Sequence, residues 1–67
     1  MSRINIFRMD EKGPLWLEDA ETVNEARKRI SKLNAVQPAE FLIFDEESGL
    51  KLSLDPATGE TRQIDNT

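Results

Sequence analysis

Carboxylates are the commonest chemistry-bearing groups in this 67-residue chain, 13 against 9 lysines and arginines. The densest group is Asp45-Glu46-Glu47, and Asp55 follows ten residues after Asp45. Such a group could hold a divalent cation or pair as acid and base. A calcium loop needs D-x-[DN]-x-[DN]-G and a distal glutamate, which neither Asp45-Glu46-Glu47-Ser48-Gly49 nor Asp55-Pro56-Ala57-Thr58-Gly59 supplies. Paired-carboxylate hydrolysis needs two acids held in a cleft, whereas both segments read as exposed turns. Asp45 and Asp55 are therefore expected to shape turns, and no metal ligand is assigned.

Nucleophilic chemistry fares no better. Ser31, Ser48, Ser53 and the threonines have no histidine to activate them, and neither G-x-S-x-G nor S-x-x-K is present. Cysteine is absent, which removes disulfides, thiolate zinc sites and thiol redox chemistry. Gly13, Gly49 and Gly59 are isolated and form no phosphate cradle. Arg27, Lys28, Arg29 and Lys32 could meet phosphates. However, Glu25 dilutes their charge, no aromatic residue interleaves to stack on a base, and the net charge is −4. The reading is a non-enzymatic protein without catalytic residues, cofactor or metal, that binds neither nucleic acid nor membrane and offers no identifiable small-molecule substrate site.

At this length one domain spanning residues 1–67 is expected, with a thin core, because a chain this small buries only about 60% of its unfolded surface. No run approaches the ~20 apolar residues of a membrane-spanning helix, and the first residues lack a basic-then-apolar leader pattern. A cytoplasmic location is the resulting expectation.

The elements that must position any functional group follow from periodicity. Residues 3–9 alternate at period two, with Ile4 and Ile6 on one face and Phe7 and Met9 on the other. Asp10-Glu11-Lys12-Gly13-Pro14 carries turn chemistry, and a second strand at 15–18 closes a hairpin with a loop of about five residues. Thr22-Val23-Asn24-Glu25 fits a capping box, and Val23, Ala26, Ile30 and Leu33 recur at helical spacing. A helix over 22–33 is predicted, with a Glu25–Arg29 pair, cations toward its C-terminus and Asn34 in the left-handed position after it. Two copies of D-x-x-[S/T]-G separate strands at 40–45, 50–54 and 60–64, which gives a meander; 65–67 reads as a tail. The fold class is α+β, a single antiparallel sheet in ββαββ(β) order with one helix packed on one face.

Asp10…Gly13-Pro14-Leu15-Trp16-Leu17, Ala20-Glu21-Thr22…Glu25-Ala26 and Phe41-Leu42-Ile43-Phe44-Asp45…Ser48-Gly49 together resemble a set of short uncharacterised bacterial proteins of hairpin, helix and hairpin. That similarity covers roughly residues 4–54 and implies the fold without an activity. The first hairpin followed by Thr22-x-x-Glu25-Ala26 is more weakly similar to HicB-like antitoxins, whose partial ribonuclease-H-type fold also begins with strands and then a helix. It implies an alternative function, an antitoxin-like or regulatory partner that binds a basic protein through the acidic loops.

One helix cannot cover both faces of a sheet. If it lies over Ile4, Ile6, Leu15, Leu17 and the alternating Leu50, Leu52 and Leu54, then Phe7, Met9 and Trp16 fall on the far side. Phe41-Leu42-Ile43-Phe44 is apolar throughout, so both its faces are expected to be covered. Leu42 and Phe44 are assigned to the helix side, Phe41 and Ile43 to the far side. Phe7, Met9, Trp16, Phe41 and Ile43 form the candidate interaction surface. Covering about 500 Å² of it would contribute on the order of 12 kcal/mol before association entropy. Either the meander folds over and closes the core within one chain, or a second molecule covers the patch. Association is preferred, as a homodimer or with another protein, because small chains gain most from it.

Overall fold

The structure, a computed structural model, describes residues 4–64. Within them run β1 (Ile4–Asp10), β2 (Gly13–Ala20), α1 (Val23–Val36), β3 (Phe41–Asp45), β4 (Lys51–Leu54) and β5 (Thr61–Gln63). The strands form one antiparallel sheet in the order β2-β1-β3-β4-β5, with α1 against one face, an α+β architecture. Arg3 and 65–67, assigned to the first strand and a tail, lie outside the described residues.

The first hairpin is tighter than its composition suggests. Asp10 pairs with Gly13 and Met9 with Pro14, so the turn is Glu11-Lys12 alone. The strand admits Pro14 because β2 is an edge, where a missing N–H goes unnoticed. Further along, Ile6 faces Glu18 while Phe7 faces Trp16, so Leu17 is an extra residue in a bulge. The bulge lets Leu17 pack against the core while its neighbour Glu18 reaches Arg29 on the same side of the sheet.

Helix α1 starts where expected. Thr22, extended at φ −133°, accepts the Glu25 N–H on Oγ1 at 3.1 Å. Glu25 does not complete a reciprocal capping box. Its Oε1 instead accepts from Arg29 Nη2 at 3.0 Å, and Arg29 also donates to Glu18. These two exposed carboxylates, Glu18 first, raise the Arg29 pKa above its ordinary value. The helix continues to Val36, and Pro38 lies just beyond its Gln37 cap. Asn34 therefore sits inside the helix, not after it, and its Oδ1 accepts the Ala39 N–H at 3.1 Å. With the end moved outward, the last turn carries no cation, so the macrodipole contributes little at Arg27 to Lys32.

The core lies between α1 and the sheet. Ala26 and Ile30 from the helix meet Ile4, Ile6, Ala20, Phe41, Ile43 and Leu54, all buried, and Val23, Leu33 and Leu52 pack around them. No polar or charged residue is buried with them among the described residues. No helix among those residues is long and apolar enough to cross a membrane.

Candidate interaction face

The far side of the sheet carries no second layer among the described residues, and cross-strand register fixes what it presents. Directly opposed residues share a face. One row crosses all five strands as Trp16, Phe7, Leu42, Ser53 and Arg62; the neighbouring row holds Asp19, Asn5, Phe44 and Lys51. Ile64 extends that second row, because its N–H donates to Lys51 O at 2.9 Å. Met9 and Pro14 form a third pair at the β1–β2 end.

Phe7, Met9 and Trp16 thus lie on the face away from the helix. Phe41 and Ile43 do not. They are 2% and 1% exposed in the helix-side core, and Leu42 and Phe44 take the far face instead. The correction has a direct cause: Ile6 pairs with Ile43, and Ile43 with Leu52, so all three must point toward α1. The meander does not fold over to close a barrel either, since the sheet is open with β2 and β5 at its edges.

Trp16 is 53% exposed, with its indole N–H donating to Asn5 Oδ1 at 3.2 Å. That bond fixes the ring on the surface without burying it. Beside it Phe7, Leu42 and Phe44 are half-buried. A depression of about 320 Å³ runs over the face, bordered by Phe7, Pro14, Leu42, Phe44, Lys51 and Ile64. Ile64 is 39% exposed at its rim, and Lys51 Nζ lies 5.7 Å from the centroid of the Phe44 ring. Lys51 and Arg62 of this face belong to β4 and β5 and Asp19 to β2 at the opposite edge, and the Glu40 carboxylate, which accepts from the Ser53 hydroxyl at 3.2 Å, lies on the same face beside Ser53 and Arg62. Pro14, Leu42, Phe44, Lys51, Ile64 and Arg62 are absent from the candidate surface read from the sequence; the closures of two loops place Leu42, Phe44 and Arg62 there.

The acidic loops have a structural occupation. Asp45 Oδ1 accepts the Glu47 N–H at 3.0 Å and Oδ2 the Ser48 hydroxyl at 3.0 Å, while Asp45 and Leu50 close the loop base. Asp55 repeats this pattern: Oδ1 accepts the Ala57 N–H at 2.9 Å, and Asp55 N–H donates to Glu60 O. Gly49 and Gly59 leave the loops at φ +78° and +75°, a conformation that side chains resist. Closure at Asp45–Leu50 forces Phe44 opposite Lys51 and Ile43 opposite Leu52; closure at Asp55–Glu60 forces Ser53 opposite Arg62. No group of three or more acidic side chains placed to hold a metal ion occurs among the described residues. Comparison of the chain with protein-family models, curated proteins and solved structures yields no match.

Proposed function

We propose that this chain is a non-enzymatic interaction module that associates through the sheet face opposite α1. The observation that carries the reading is the row Trp16, Phe7, Leu42, with Phe44 beside it, left without a covering layer among the described residues while the tryptophan is 53% exposed. Apolar residues gathered on one open face mark association surfaces, whereas isolated exposed ones need no explanation. The capture of a basic protein by acidic loops is less well supported. Asp45 and Asp55 already accept hydrogen bonds within their loops, which leaves Glu46 and Glu47 as its basis.

The test is oxidative footprinting of Trp16 and Met9 in the isolated chain at nanomolar concentration, in a concentrated solution, and in extract of the source cells. Association through this face protects both residues in at least one of the latter two. Equal oxidation in all three conditions refutes the reading.

A further inference from the structure

We infer that the free edge of β2, at Pro14-Leu15-Trp16, takes up an extended segment of another protein as an added antiparallel strand, apolar where it meets these residues and preceded by a cation. This goes beyond the proposed function, because it concerns the edge of the sheet and does not need the open face.

The occupant is selected first by where the apolar residues lie. Pro14, Leu15 and Trp16 are consecutive and exposed, Leu15 at 44% and Trp16 at 53%. Successive strand residues point to opposite faces. Leu15 opposes Arg8, which opposes the core residue Phe41, so Leu15 lies on the helix side while Trp16 lies on the other. A molecule laid over the open face covers Trp16 and leaves Leu15 in water. A strand that continues the sheet past β2 sets a side chain about 5 Å from each. A consecutive apolar run, exposed on both faces at once, thus fits a strand and not a lid.

The backbone is turned the same way. Met9 N–H donates to Glu40 O at 2.8 Å, so the backbone of Met9 is directed toward β3, and that of Phe7, two residues earlier, likewise. Their partners Pro14 and Trp16 therefore direct their own groups away from β1, to an edge with no neighbour among the described residues. Pro14 offers a C=O there, and Trp16 both an N–H and a C=O. Proline and the bulge at Leu17 are devices that keep an edge from pairing. Here they stand at either end of the free stretch, so they limit an added strand to a short segment.

Charge sets the flank. Both charged residues of β2 are acids; Glu18 is bound by Arg29, and Asp19, on the Trp16 face, is in no ion pair among the described residues. The turn Asp10-Glu11-Lys12 adds two acids to one base, Arg8 is screened from the edge by its place on β1, and the chain carries −4 overall. A strand antiparallel to β2, as every pair in this sheet is, passes Asp19 before it reaches Trp16. Lysine or arginine suits that position. A second copy of β2 would bring acids there instead, and is the poorer occupant.

The probes are peptides acetyl-Lys-Thr-X-X-X-Lys-amide, each X being valine, leucine or phenylalanine, titrated against the full chain. Trp16 is the single tryptophan, so its fluorescence reports binding, and amide hydrogen exchange reports the edge. In the free chain the Leu15 amide should be protected and the Trp16 amide should not. The best peptides should bind with a dissociation constant of about 0.1–1 mM, since the segment is short, and slow Trp16 exchange about tenfold. Methylation of the backbone nitrogen at the first X, which faces Trp16, should abolish binding, while methylation at the second X should be tolerated. Leu15→Thr should weaken binding about fivefold, with circular dichroism unchanged. A Trp16 amide already protected in the free chain, a set in which nothing binds below about 5 mM, or equal tolerance of the two methylations overturns the added strand. None of these results bears on the open face, which footprinting of Trp16 and Met9 in the Leu15→Thr chain tests separately.

Discussion

Ile43 and Leu42 are adjacent in one strand and chemically alike, yet they point to opposite sides of the sheet, so their truncation separates core from surface. Ile43 is 1% exposed and packed among Ile6, Ile30 and Phe41. Ile43→Ala removes buried carbons and leaves a cavity, at a cost of about 2–5 kcal/mol. Leu42 has Phe7 and Ser53 as cross-strand neighbours on the face away from α1. In the monomer Leu42→Ala should cost under about 1 kcal/mol, as at sites away from the core. A domain of 67 residues has a total stability of roughly 3–10 kcal/mol, so the first change consumes much of it and the second little. Urea denaturation, followed by circular dichroism at a protein concentration below that of association, resolves the two. With a slope of about 1 kcal/mol/M, Ile43→Ala should lower the midpoint by about 2 M or more and Leu42→Ala by less than about 1 M. Equal losses, or a larger loss at Leu42, would refute the assignment of faces on β3.

Three further outcomes are expected. Thr22→Ala removes the acceptor of the Glu25 N–H and should cost about 1 kcal/mol in the same denaturation experiment, whereas Thr22→Asp should restore most of it. Gly49→Ala places a side chain at φ +78°, with nothing within 4 Å to clash, and should cost about 1–2 kcal/mol from backbone conformation alone; Gly49→Asn should recover part of that. Calorimetric titration with calcium, magnesium or manganese should give no saturable heat, since Asp45 and Asp55 accept hydrogen bonds from their own loops.

Much of this arrangement was legible in the residues. Period-two alternation separates Ile4 and Ile6 from Phe7 on β1, and the stripe Val23, Ala26, Ile30, Leu33 defines the buried side of α1. The strand Phe41-Leu42-Ile43-Phe44 resisted the same treatment because a run without a polar member has no parity of its own. Its orientation is imposed from outside, by pairing with β1 and by the loop that follows. That second constraint was available in the sequence. If Asp45 and Leu50 close the loop, the polar positions Lys51 and Ser53 must oppose Phe44 and Leu42, and Phe41 and Ile43 must join the leucines in the core. The helix end was missed for a different reason. Asn34 suits a left-handed terminus, but its side chain binds the Ala39 N–H from within the helix, and Pro38 sets the limit instead. The bulge at Leu17 had no local marker, since neither glycine nor proline stands beside it.

The two aspartate–glycine loops give the C-terminal half a modular grammar. Each is closed by its own hydrogen bonds and sends the chain back antiparallel, and their aspartates stand ten positions apart. Growth by duplication is thus open to this sheet. A further ten-residue unit spliced after β5 would cap its free border with another rung, while excision of the last unit would shorten the array and leave the helix seated over β1 and β3. The width of the exposed platform, and with it the grip on whatever it meets, could be tuned by counting hairpins, without redesigning the interior.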